Sequence, residues 1–121
     1  MAATAPAALS AADRLAIVDA LMARYNAQDA DGYAAFFAEQ GCEANYRGAV
    51  LREGREGVRA GLTKMFAEFP ENRADVLEKQ AVGDYVVLNE RVYRSNDAAP
   101  FDVVSIYSFE DGAIVRVEFV R

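Results

Sequence analysis

The sequence predicts an α+β domain, with three helical segments first and a long antiparallel meander after them. Two patterns carry that expectation. Up to Pro70, apolar residues recur at three- and four-residue steps, the spacing of one helix face. Beyond Pro70 the period becomes extended, and turn signals follow at Gly83-Asp84, in SNDAAP and at Glu110-Asp111-Gly112. Helices grouped ahead of strands suit a sheet covered on one face.

The first helix starts near Ser10, where Ser10 and Asp13 have the spacing of a capping box. Leu15, Val18, Leu21, Met22 and Tyr25 form its apolar stripe, and Asn26 to Asp31 breaks it. A short second helix takes Asp31 as N-cap, turns Tyr33, Phe36 and Phe37 inward, and ends before Gly41. Cys42 to Arg47 reads as a strand, and Gly48 to Gly54 as a turn with a short return. GREGVRAGLTKMFAEFP is the clearest helix, with Val58, Leu62, Met65, Phe66 and Phe69 on one stripe and Pro70 as its stop. That stripe packs a core or roofs a cavity, and one helix can do both. Strands are expected over 73–82, 84–95, 100–109 and 112–120.

The chain of 121 residues is expected to be a flexible N-terminus, 1–9, followed by one domain, 10–121. Its formal charge of −6 lacks the basic footprint of a nucleic-acid binder and disfavours anionic membranes. No stretch is long enough to span a bilayer, and the Ala-rich start has no basic leader, so a cytoplasmic location is expected. Cys42 stands alone and histidine is absent, which removes disulfides, thiolate or imidazole metal sites and the Ser-His and Cys-His nucleophiles. Any proton transfer falls to a carboxylate, Tyr, Lys or water. No metal and no cofactor are expected.

The central strands carry polar residues on both parities, which hints at a lined pocket. In order and spacing, NAQDADGYAAFFA, GREGVRAGL, GDYVVLNERV and SIYSFEDGAIVRVEF resemble the nuclear transport factor 2-like superfamily, in its SnoaL-like and ketosteroid-isomerase-like branch. The resemblance implies a cone-shaped fold whose strongly bent antiparallel sheet wraps the helices and encloses a cavity. It also implies homodimers through the sheet. The fold hosts many functions, so activity must be argued from the site. The general base of ketosteroid isomerase falls at Asn45, its oxyanion tyrosine at Leu21 and its second acid at Ser105, so that activity is not expected here. Of the Arg and Asp pattern of limonene epoxide hydrolases, Arg91 remains, while Tyr93 and Phe119 occupy the acidic positions.

Alternation puts Val87, Asn89, Arg91 and Tyr93 on one strand face and Val86, Leu88, Glu90 and Val92 on the other. The resemblance assigns the odd-numbered set to the cavity. An enclosed guanidinium needs an anion, so Arg91 either pairs with Glu43 or clamps an acidic or carbonyl-bearing ligand. On the first strand the resemblance aims Glu43 and Asn45 inward, whereas hydrophobicity would bury Cys42, Ala44 and Tyr46; a one-residue slip exchanges the two. An inward Glu43 is the candidate base, with Asn45 and Arg91 beside it. Asn89, Tyr93, Ser105, Tyr107, Phe66 and Phe69 are the candidate ligand contacts. Arg116 and Glu118 face away with a cross-strand or dimer role. The expected function is a small-molecule cavity that performs cofactor-free isomerisation, cyclisation or dehydration on a compact carbonyl- or acid-bearing ligand. The alternative is a non-catalytic binding or dimerisation module.

Overall fold

The computed structural model describes residues 9–121. The flexible segment expected over 1–9 lies outside the described residues except for Leu9, whose carbonyl accepts a hydrogen bond from Arg14. Helix α1 runs Ala11–Asn26 and begins with the expected capping box. The Asp13 amide donates to Ser10 Oγ at 3.0 Å, and the Ser10 amide donates to Asp13 Oδ2 at 3.1 Å. Helix α2, Ala30–Ala34, is capped by Asp29 rather than by Asp31. Gln28 takes a positive φ of 58° and reverses the chain, which brings the Asp29 carboxylate to the Gly32 amide at 2.8 Å.

Strand β1, Phe37–Asn45, begins five residues earlier than the sequence suggested. Gly41 therefore sits within the strand instead of ending α2. A Cβ there would lie 2.7 Å from the Ile114 carbonyl oxygen, so the glycine allows β1 to approach its neighbour closely. Strand β2, Val50–Glu53, leads directly into α3, Gly54–Glu68. Strands β3, Arg73–Val82, β4, Tyr85–Tyr93, β5, Phe101–Glu110, and β6, Ala113–Val120, fall close to the expected segments.

The six strands form one curled, unclosed sheet in the order β2-β1-β6-β5-β4-β3. The expected all-antiparallel sheet needs one correction, because β1 and β6 run parallel. The stretch between them supplies the long crossover that a parallel pair requires. Helix α1 covers β3 and β4, α3 covers β1, and α2 packs against both helices. Val18, Leu21, Phe37, Leu62, Leu88, Ile114 and Val117 form the centre of the apolar core. Among the described residues no helix is long and apolar enough to cross a membrane.

The face of β4 is the second correction. Val86, Leu88, Glu90 and Val92 point inward, and Asn89 and Arg91 point out. The β4–β5 register pairs Val86 with Tyr107, Leu88 with Ser105 and Glu90 with Val103. Directly paired residues share a sheet face. Once Val103, Ser105 and Tyr107 of β5 face the core, the even-numbered residues of β4 must do so as well.

Candidate functional site

Between the curled sheet and the helices lies a cavity of about 70 Å³, enough for several waters or part of a compact ligand. Its wall is built from α1 (Met22, Tyr25), α2 (Tyr33), β1 (Glu43), β2 (Arg52), α3 (Leu62, Met65) and the inner faces of β4, β5 and β6. Glu90 and Tyr107 come from β4 and β5, and Arg94 follows directly after β4. Two carboxylates therefore share an enclosure whose remaining lining is largely apolar and aromatic.

Their surroundings differ. Glu43 is 1% exposed and fully engaged. Its Oε1 accepts from Arg52 Nη1 at 2.7 Å, and its Oε2 accepts from the Tyr33 hydroxyl at 2.7 Å. Glu90, 7% exposed, has much less support. Ser105 Oγ lies 3.1 Å from Glu90 Oε1, and among the described residues Oε2 has no partner. Burial pushes the Glu90 pKa up to about 7, the nearby Glu43 adds to that rise, and Ser105 and Arg94 offset part of it. The Tyr33 and Tyr107 hydroxyls are held well above their ordinary value, chiefly by burial and further by the two glutamates, so both remain proton donors.

At the entrance, Arg94 Nη1 donates to Asn72 Oδ1 at 2.7 Å and lies 3.5 Å from the Tyr25 oxygen. Its guanidinium sits 5.2 Å from the Phe101 ring centre and 5.7 Å from that of Phe69. Asn72 Nδ2 donates to the same Tyr25 oxygen at 2.9 Å. With two donors on its oxygen, Tyr25 has its own O–H to give elsewhere.

The expected site residues separate into two groups. Glu43 and Tyr107 line the cavity, and Ser105 stands behind Glu90 as its hydrogen-bond donor. Phe66 is core, edge-on to Tyr25 at 5.6 Å, and Phe69 borders an outer groove beyond the entrance. Asn45 is exposed, because the chain turns there: its amide donates to the Ala49 carbonyl, just after a bulge in the β1–β2 register. Asn89, Arg91 and Tyr93 lie on the outer sheet face for the pairing reason given above.

Arg91 does not meet Glu43. It pairs with Asp102, Nε to Oδ1 at 2.8 Å, with 42% of its side chain exposed. Tyr93 stacks under the Arg73 guanidinium at 4.0 Å. We expect Arg91→Ala to leave both the melting temperature and any ligand-induced thermal shift unchanged, since exposed pairs contribute little; paired melting curves check this.

Sequence reasoning missed Glu90, Arg52, Arg94 and Tyr25 as site residues. The signal for Glu90 was present: Val86, Leu88 and Val92 mark its parity as the core face. Among the described residues no group of three or more acidic or cysteine side chains is placed to hold a metal.

Residues 18–117 match the SnoaL-like domain family. The chain is a SnoaL-like protein. An uncharacterised cystatin-fold protein of Novosphingobium aromaticivorans is 47% identical, with a TM-score of 0.85 over 89% of this chain and 97% of that one. A proposed polyketide cyclase of Sinorhizobium meliloti is 20% identical, with a TM-score of 0.76 over 93% of this chain and 100% of that one. A Catenulispora acidiphila protein with a ketosteroid isomerase-like fold, solved with trimethylamine, is 19% identical, with a TM-score of 0.71 over 87% and 84%. The last two likenesses establish the shared fold of this SnoaL-like chain. No curated protein matches the sequence at a significant level.

Proposed function

We propose that the protein catalyses cofactor-free proton transfer on a compact carbonyl- or acid-bearing small molecule, with Glu90 as the base. The observation that carries this reading is a buried carboxylate inside a cavity, with one oxygen unpartnered among the described residues and its pKa raised to about 7. A carboxylate so tuned accepts a proton more readily than an ordinary one and returns it near neutral pH. Glu43, the base expected from the sequence, has both oxygens committed to Arg52 and Tyr33 and is replaced in that role.

Abstraction at a carbon beside a carbonyl moves charge to the carbonyl oxygen, which needs a donor. Tyr25 supplies it. Its oxygen already accepts from Asn72 and lies near Arg94, which leaves its O–H available to a ligand in the cavity that Tyr25 lines. Arg94 at the entrance would attract a ligand that carries an acid group. Isomerisation, cyclisation and dehydration all contain this step. Outside the cavity, the sheet's outer face sets Val87 beside Ile106 and Asn89 beside Val104, an arrangement suited to a homodimer.

The experiment is deuterium exchange. Compact ketones, lactones and aromatic keto acids are incubated with the protein in D2O, and α-proton loss is followed by NMR. Exchange above buffer for at least one compound supports the reading. A panel with thermal shifts but no exchange favours the binding-module alternative.

A further inference from the structure

Gly61 lies inside α3, in the GREGVRAGL stretch, at a position where glycine is unfavourable relative to alanine. A Cβ built there would meet Arg52 Nε at 2.5 Å, Cδ at 2.6 Å and Cγ at 3.1 Å. The missing side chain is thus the space in which the Arg52 side chain lies flat against the helix. From there Nη1 reaches Glu43 Oε1 at 2.7 Å, and Nη2 lies 4.0 Å from Met65 Sδ.

We propose that Gly61 is a positioning residue of the cavity: it admits Arg52 to Glu43, so that one cavity carboxylate is held in an ion pair and the other, Glu90, is left to exchange protons. This inference rests on the proposed role of Glu90, but not on any substrate. Two carboxylates in one enclosure share their protons when neither is neutralised, because each disfavours ionisation of the other. Arg52 divides their roles. A side chain at 61 would push Arg52 out of its lane, and the last proton of the pair would then be held more tightly.

The test is Gly61→Ala, with the cavity carboxyl titration followed by 13C NMR of glutamate-labelled protein. The proposal expects the upper apparent pKa to rise by about one unit above its wild-type position. It also expects a lower melting temperature, against the ordinary gain for glycine to alanine in a helix. In an E43Q/R52A background the lane is empty, and Gly61→Ala should there leave the melting temperature unchanged or raise it. If Gly61→Ala alone does not fold, that second background still reads the coupling. An unchanged titration together with a raised melting temperature in the otherwise wild-type chain would overturn the proposal. Loss of α-proton exchange in Glu90→Gln is scored separately, so failure of the reaction and failure of the positioning role remain distinguishable.

Discussion

Glu90→Gln should cut α-proton exchange by about 10²- to 10⁴-fold for any compound the wild-type protein turns over. The amide keeps the shape of the carboxyl and can still meet Ser105, whose Oγ lies 3.1 Å from Glu90 Oε1. It cannot accept a proton. The same substitution should stabilise the fold above neutral pH, which separates loss of chemistry from loss of structure. Burial raises Glu90 from an ordinary 4.5 to about 7. Between those two values the unfolded chain has released the proton and the folded chain still holds it. Folding takes up a proton in that window, so stability falls as pH rises through it, and the loss is complete above about 7. A shift of that size corresponds to about 3 kcal/mol. Urea unfolding at pH 5 and pH 8 should show most of this difference in the wild type and little of it in Glu90→Gln.

Arg52→Ala should be the most damaging substitution outside the apolar core. It strands Glu43, a carboxylate 1% exposed, with only the Tyr33 hydroxyl for support. Breaking a buried pair from one side costs about 3–5 kcal/mol. Arg52 is 24% exposed, which favours the lower end, about 3 kcal/mol. Adding Glu43→Gln to Arg52→Ala removes the stranded charge and should recover much of the loss. Denaturant melts of the two single variants and the double variant measure the coupling. A double variant no more stable than Arg52→Ala would show that the pair contributes through packing alone.

Much of the fold was legible because its local signals agree with one another. The Ser10–Asp13 box, the Val58–Leu62–Phe66 stripe stopped near Pro70 and the three late turns each have a short-range cause. What was not legible depends on contacts distant in sequence. Nothing near Phe37 announces that β1 begins there, since its pairing partners lie in β6. The parallel direction of that pair is likewise set by the rest of the chain.

The cavity was half legible. Glu43, Ser105 and Tyr107 were assigned to the correct face, but β4 was read one residue out of phase. Asn89 and Arg91 looked functional because they are polar and match related strands. Glu90 was passed over because the resemblance gave the cavity to the opposite face, although its neighbours Leu88 and Val92 are core residues. The hairpin register decides the matter, and it is fixed by where β5 resumes after the Arg94–Pro100 connection. Arg52 and Arg94 sit on a short strand and on a loop, where periodicity gives no face at all.

Catalysis in this cavity requires Glu90 to be an enclosed acid that titrates near neutrality. The most direct measurement is difference infrared spectroscopy of the carboxyl stretch between pH 4 and pH 9, comparing wild type with Glu90→Gln. The wild type should show a protonated carboxyl band that disappears near pH 7 and is missing from the variant. A wild-type protein whose carboxyls are all ionised by pH 5.5 would contradict it.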